Sequence, residues 1–595
     1  MLKRMKRSLA QLRARAPRRD HVHQPSPAHM QQLVTEGRED EALEVARELL
    51  RSGAEVPQWS GFGSACTKHL AGHESVELLA AWLRSTEPSD ARVVRSALRV
   101  AREHGSATTV REIAEHAERQ HPDDAKVQAQ LGKLAFARGD LQRSIRAWQR
   151  AIELTRDASK DPRWHFHAGR SYEEAGQLAS AADCYAAAID ALLRSTGDDA
   201  EWAYVALQEW PFRLAYVRAR SAEKHQPHQA ASHTEDRRLR TKLEWVGPAT
   251  GTDGTFAALV ESRGLRIRGT GPVGKLVQIV LDDVPIRDVR CRSEDGSYTF
   301  LLRHSTLRRF PKAGELRIVY DDRPLVGWHG AGDAVRITVD EGDGTILEEL
   351  RQGGTITKKG HLSAVGSVGK SSPVDLIDAY SRLRQIFAEV LGADLFLLYG
   401  SLLGVVRDQR LIAGDSDIDA GYLLSARGPE EAKAQAMEST KRLLEAGIDI
   451  GANYRGQLMT ATVDGVPIDV YPVWFQDGSA WAYNAFPAEA NHFLPVTERE
   501  VHGGTVALPS DAETLAGRIY GEGWRTPDPN FRHHRSADEY QVLRRSFLTP
   551  AECVDLLRWR RRAARGASTP VGRFNRNMAF LESYLGALDG TAKPK

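Results

Sequence analysis

The sequence predicts a multidomain chain in three parts: an α-helical repeat region, a β-sandwich and an α/β domain. Three observations predict this. Residues 29–220 are rich in Ala, Leu, Glu and Arg and poor in Pro, which suits helices throughout. From 245 to 350 the pattern changes to short apolar runs separated by turn signals, which suits strands. Beyond 370, apolar strand runs and a helical stretch surround a set of aspartates. A length of 595 residues accommodates this, at roughly 150 residues per domain.

The bulk composition narrows the function. Lys+Arg total 81 and Asp+Glu 79, so the net charge of +2 gives no field for general nucleic-acid binding. No nucleic-acid partner is expected. Cys66, Cys184, Cys291 and Cys553 stand far apart without a CxxC pair. That argues against a disulfide framework or a Cys-based zinc site and for a reducing cytoplasm. No apolar run of about 18 residues and no secretory signal stands in the sequence.

Residues 1–28 form a basic amphipathic segment. Eight of the first twenty residues are Lys or Arg, and Leu2, Met5, Leu9, Leu12 and Ala16 recur at helical spacing. Such a helix suits peripheral contact with the anionic inner face of a membrane; the alternative is a solvated terminus.

Within 29–220, two segments resemble tetratricopeptide repeats. The first carries Leu131-Gly132, Gly139, Trp148 and Ala151; the second carries Ala168-Gly169, Tyr172, Gly176, Ala181, Tyr185 and Ala188. Gly132 and Gly169 lie 37 residues apart, three more than the usual ~34. Small residues let paired helices approach and aromatics fill the gap. Such repeats offer a groove to a protein partner or pack against their own chain.

Residues 221–244 read as a linker. Leu265–Arg268, Val277–Leu281, Tyr298–Leu302, Leu316–Tyr320 and Val335–Val339 then read as strands of a β-sandwich over 245–350. Asp282-Asp283 and Asp295-Gly296 supply turns. This part carries no recognisable chemistry. Residues 353–372 read as loop. Gly369-Lys370-Ser371 lacks the glycine a P-loop needs at Ala364, so an ordinary loop with Ser371 or Ser372 capping the next helix is expected.

The chemistry concentrates in Asp394–Leu424. Leu395–Tyr399 reads as a buried strand, Gly400-Ser401 as a turn and Leu402–Arg407 as a short helix. A strand, a Gly-Ser turn and a helix N-terminus direct N–H groups at an anion, with the Ser401 hydroxyl as a further donor. Asp415, Asp417 and Asp419 alternate with Ser416 and Ile418. On a strand all three carboxylates share one face, which suits a hard divalent cation such as Mg²⁺. A solvated loop is the plainer alternative. Farther on, Asp464-Gly465 suits a hairpin turn and Ile468–Val473 a strand with Asp469 among apolar residues. Asp469 either shares that cation or sits as a satisfied polar residue at a strand edge. Arg407 pairs either with a substrate phosphate or with Asp415.

Gly400-Ser401-Leu402-Leu403-Gly404-Val405-Val406-Arg407, followed by Asp415-Ser416-Asp417-Ile418-Asp419, resembles the LicD/fukutin phosphotransferases of the nucleotidyltransferase superfamily. Ile468-Asp469-Val470-Tyr471-Pro472, Leu508-Pro509-Ser510 and Arg518-Ile519-Tyr520-Gly521 extend the resemblance, which covers about 375–535. Asp408-Gln409 and Gly414 depart from the usual pattern at positions bearing on specificity. The resemblance implies a nucleotidyltransferase-like catalytic domain over 370–595. It implies transfer of phosphocholine, ribitol phosphate or glycerol phosphate from a CDP-linked donor to a sugar hydroxyl of a cell-surface glycan, with a lipid-linked acceptor.

The expected metal ligands are Asp417, Asp419 and Asp469, holding Mg²⁺ or Mn²⁺. Asp415 joins them as a catalytic residue, and Asp469 or Asp415 is the expected base. Gly400, Ser401 and Arg407 are the expected phosphate-binding residues. Residues 524–535, dense in cations and aromatics, either close over the donor or form a surface loop; a zinc site at His533-His534 is the less favoured reading. Two other functions stay open: nucleotidyl transfer from an NTP, and a repeat scaffold with an inactive transferase domain. The expected location is the cytoplasm, at the inner face of a bacterial plasma membrane.

Overall fold

The fold is described from a computed structural model. It describes residues 25–54, 56–86, 89–155, 161–195, 200–225, 237–249, 253–363, 372–412, 417–452, 459–527, 531, 533 and 535–589. The basic segment 1–28 therefore lies almost wholly outside the described residues, as do Gly369-Lys370-Ser371, Asp415 and His534. The chain divides into two units: residues 1–158 with 163–177, and residues 159–162 with 178–595.

The first unit is helical. Nine helices run from Pro27–Thr35 to Pro162–Glu174 among its described residues. Their starts are written in the sequence: Ser106, Asp124 and Asp140 each cap a helix by accepting a backbone N–H. Gly139, at φ 78°, makes the left-handed turn between Ala125–Ala137 and Leu141–Glu153. The two helices of this hairpin pack closely because residue 132 is glycine. A Cβ there would lie 2.7 Å from Cε2 of Trp148. Ser144 donates to the Gly132 carbonyl at 2.9 Å, and the fully buried Trp148 ring stacks on His167 at 5.1 Å. Gly132→Ala gains helix propensity of about 1 kcal/mol. It also forces a ring already fixed on its other face, an overpacking cost of roughly 1–3 kcal/mol. A thermal melt should show the variant less stable than the wild type; a raised melting temperature would refute this packing account.

The second unit begins with helices Leu178–Arg194 and Ala200–His225 and continues into strands. Those of the middle region are β1 (Thr241–Val246), β2 (Thr255–Glu261), β3 (Gly264–Thr270), β4 (Leu276–Leu281), β5 (Val284–Arg290), β6 (Ser297–Arg303), β7 (Ala313–Tyr320), β8 (Arg323–Pro324), β9 (Val326–Gly327) and β10 (Ala334–Val339). They form one sheet in the order β1-β10-β7-β4-β5, with β8 on β7, and a second in the order β6-β3-β2-β9. All five strands read from the sequence are present. β1 starts inside the stretch read as linker. Asp282 and Asp283 take φ 47° and 63° in the two-residue turn between β4 and β5, as a hairpin of primed type requires. Trp245 of β1 meets Phe256 of β2 at 5.1 Å, joining the two sheets.

Two short strands follow where the sequence suggested only loop: β11 (Thr355–Ile356) and β12 (Leu362–Ser363), a hairpin. Ser372 caps the helix Pro373–Ile386, with Asp375 completing a capping box.

A seven-stranded sheet contains the run β13 (Phe396–Leu397), β14 (Ile418–Leu423), β17 (Val466–Gln476), β16 (Met459–Val463), β15 (Asp449–Ala452). β14 and β17 are parallel; the other neighbours in this order are antiparallel. On one face Ile418, Ala420, Tyr422, Ile468 and Val470 are buried, and Tyr422 meets Phe387 edge-on at 5.2 Å. The other face carries Asp419, Asp469 and Tyr471, by the two-residue alternation of strands.

Candidate active site

The expected turn at Gly400-Ser401 is instead the first turn of a helix, Tyr399–Asp408. The strand before it is shorter than expected, only Phe396–Leu397. The cause is Tyr399, which takes φ 45° and turns the chain sharply from strand to helix. Its buried hydroxyl holds that conformation, donating to Asn484 Oδ1 at 3.0 Å and accepting from Tyr483 N at 2.9 Å.

This sharp entry sets the helix N-terminus against β14. Gly400 N donates to Asp419 Oδ2 at 2.9 Å, and the Ser401 hydroxyl accepts from Asp419 N at 2.9 Å. Ser401 is buried, so its hydroxyl positions Asp419 from beneath. Tyr471 donates its phenol to Asp419 Oδ1 at 3.1 Å. Burial and the Asp419 charge push the Tyr471 phenol up, keeping it a donor. Asp419 is thus a carboxylate held at both oxygens, at a site where the helix dipole favours negative charge.

Asp419 and Asp469 are register partners on the parallel strands β14 and β17. Two acids side by side across a sheet repel. Burial pushes the Asp469 pKa up to about 6, and the Asp417 charge adds to the rise; a hydrogen bond from Thr460 (2.7 Å) and the charge of Lys359 oppose it. Asp417 stands just before β14, not within it, so the shared strand face expected for the aspartates covers Asp419 but not Asp417. Asp415 lies outside the described residues. Arg407 forms a two-point pair with the neighbouring Asp408, at 3.0 and 2.8 Å.

A cleft of about 940 Å³ opens over Asp419 and Tyr471. Gly400 and Arg407 line it on one side, and Tyr520, Trp524, Phe531 and His533 on the other. Phe531 and His533 each pack on Tyr520, at 4.9 and 5.4 Å between ring centres. Burial and nearby Arg535 push the His533 pKa down, so this ring serves as a neutral aromatic wall. Tyr399 and Tyr471 are the site residues that sequence reasoning misses. Tyr471 carries a legible signal: it lies two residues after Asp469 and so shares its face.

The donor chemistry of Asp417, Asp419 and Asp469 is all oxygen, which fits a hard divalent cation. The effect of the Asp417 charge on Asp469 is what such a cation would relieve. Among the described residues no three His, Cys, Asp or Glu side chains already converge as a metal-binding group.

The Gly-Ser helix start and the paired acids of the parallel strands fall within a segment whose family match suggests a transferase. Residues 392–511 match the LicD/FKTN/FKRP nucleotidyltransferase domain, and the chain carries a domain of that family. No curated protein matches the chain. A solved structure titled "Crystal structure of MamA protein" is similar at 14% identity, over 27% of this chain and 87% of that one, with a TM-score of 0.22.

Proposed function

We propose that the chain is a divalent-metal-dependent phosphotransferase. It moves a phospho-alcohol from a CDP-linked donor to a sugar hydroxyl of a cell-surface glycan. The observation that carries this reading is the pairing of Asp419, which lines a cleft walled by aromatic rings, with Asp469 on the next strand.

Asp417, Asp419 and Asp469 would hold Mg²⁺ or Mn²⁺. When bound, such an ion neutralises the diphosphate and the charge that develops on the CMP leaving group. Tyr520, Phe531 and His533 offer stacking faces for the cytosine ring. Arg407 brings positive charge to the phosphate side of the cleft. Tyr471 and Gly400 N hold Asp419 in place, and Ser401 fixes its backbone. The acceptor hydroxyl oxygen attacks the phosphorus that bears the alcohol, the bond to the CMP oxygen breaks, and the hydroxyl proton passes to a carboxylate. Asp469 or Asp415 is the carboxylate that would take that proton.

The outlying parts serve this reaction in the same reading. The helical hairpin of Gly132 and Trp148 suits a tetratricopeptide-type groove for a protein partner. The middle sheets suit a β-sandwich, and the basic segment suits contact with the membrane that bears a lipid-linked acceptor. Among the described residues no helix is long and apolar enough to cross a membrane.

The test is CMP release from CDP-choline, CDP-ribitol and CDP-glycerol, with Mg²⁺ and a glycan acceptor. One donor should be consumed, and chelation should stop the reaction. Pyrophosphate release from an NTP, with every CDP-alcohol untouched, would replace this reading by nucleotidyl transfer.

A further inference from the structure

A second cleft, of about 430 Å³, lies on the same face of the sheet. Its floor is Thr460 and Thr462 of β16, and Thr460 is the residue that donates to Asp469. It therefore sits one strand beyond the acids, at a strand spacing of about 4.8 Å. Its walls are cationic. Arg263 enters from the turn between β2 and β3, and Arg573 and Arg576 from the C-terminal segment. Asp449 is the single carboxylate among its lining residues. It is taken up by Arg576 at 2.8 Å and by the Arg573 backbone N–H at 2.9 Å.

Arg263 is the unusual member. It is half-buried, its Nε is enclosed, and its side chain makes no hydrogen bond or ion pair among the described residues. An enclosed Nε without such a contact is costly, and an anion met by the guanidinium would offset that cost. Its position is built rather than incidental. Glu209, on the helix Ala200–His225, lies near enough to feel the Arg263 charge but commits its oxygens to Ser262. It accepts from both Ser262 N (3.0 Å) and the Ser262 hydroxyl, clamping the turn that presents Arg263. On the opposite wall Asn575 donates to Tyr204 at 2.7 Å, fixing the segment that carries Arg573 and Arg576.

We propose that this cleft binds a phosphate group on the acceptor saccharide, with Arg263 as its principal contact and Arg573 as the second. The saccharide's role as acceptor rests on the phosphotransferase reading; the anion site does not. The fork of an arginine suits two phosphate oxygens. A phosphate held there would leave a saccharide hydroxyl within reach of Asp469. The middle sheets thereby gain a role, since Arg263 belongs to them: they recognise the acceptor.

The test is calorimetric titration of the full chain with N-acetylglucosamine 1-phosphate, in saturating CMP so that the first cleft is filled. N-acetylglucosamine is the uncharged control. The sugar phosphate should bind at least about tenfold more tightly than the sugar, and Arg263→Gln should weaken it at least about tenfold. Arg263→Lys should fall between. Arg573→Gln, at an exposed position that leaves packing alone, should weaken it severalfold. CMP affinity should not change in any variant.

Sugar phosphate bound equally by wild type, Arg263→Gln and Arg573→Gln, or not bound at all, would overturn the proposal. If the arginine variants lose the sugar phosphate while the wild type shows no affinity for CMP, the anion site stands and the phosphotransferase reading fails. Inorganic pyrophosphate competing better than inorganic phosphate would assign the diphosphate of a lipid-linked glycan; the reverse order would assign a sugar phosphomonoester.

Discussion

Asp419→Asn should abolish CDP-alcohol turnover, by on the order of 10³-fold, while leaving the fold intact. The fold survives because the asparagine can keep the side-chain hydrogen bonds to Gly400 and Tyr471. Its carbonyl oxygen can accept from Gly400 N, where Asp419 Oδ2 now does. Its amide can donate to the Tyr471 hydroxyl, which rotates from donor to acceptor. The backbone contacts, from Ser401 beneath and Leu398 alongside, do not involve the side chain. What disappears is one negative charge, placed where a helix start and a phenol hold it ready before substrate arrives. Preorganised charge is the term that reorganisation cannot replace. The measurement is CMP release beside a thermal melt of the same preparation. Turnover within tenfold of wild type would remove Asp419 from the centre of the mechanism. A collapsed melt would make its role structural.

What could be read from the sequence, and what could not, follows the range of the forces involved. Asp464-Gly465 was legible as a hairpin turn because its signal is local, and both residues take positive φ. The acids of β14 and β17 were legible because an aspartate inside an apolar run needs a partner that the run itself cannot supply. Gly400-Ser401 misled, because its conformation is decided elsewhere. The Tyr399 hydroxyl reaches residues 483 and 484, more than 80 positions on, and that contact allows the sharp entry into a helix. β5 carries little strand signal, since it contains Pro285 and several charges. It tolerates them as an edge strand, with a register shift against β4 beside the proline's partner. Arg263 had no signal at all. It stands in an ordinary turn between two strands, and only the packing of the middle sheets brings it beside Thr460, almost two hundred residues later.

Asp469→Asn should make the metal-free protein more stable at pH 8 and leave its stability near pH 4 unchanged. The sign follows from the raised pKa. In the folded chain Asp469 titrates at about 6, against an ordinary value of 3.8, through burial and then the Asp417 charge. The folded state therefore holds this proton more tightly than the unfolded chain does. Its contribution favours folding fully below about pH 4 and is lost as the pH rises through 6. Above that, the wild type carries a desolvated charge worth about 3 kcal/mol against folding, the free-energy equivalent of the rise from 3.8 to about 6. Asparagine removes the titration and keeps the Thr460 hydrogen bond, because its carbonyl still accepts. Melts in EDTA should therefore coincide near pH 4 and diverge above 6, with the variant higher. Mg²⁺ should then raise the wild type at pH 8, by binding the folded state alone, and leave the variant nearly unmoved. Catalysis should show the opposite order, with the stabilised variant inactive, because the charge that costs stability is the one the reaction uses. Parallel pH curves for the two proteins would show that Asp469 is not the strained carboxylate, and a variant that kept its turnover would show that the strain serves no chemistry.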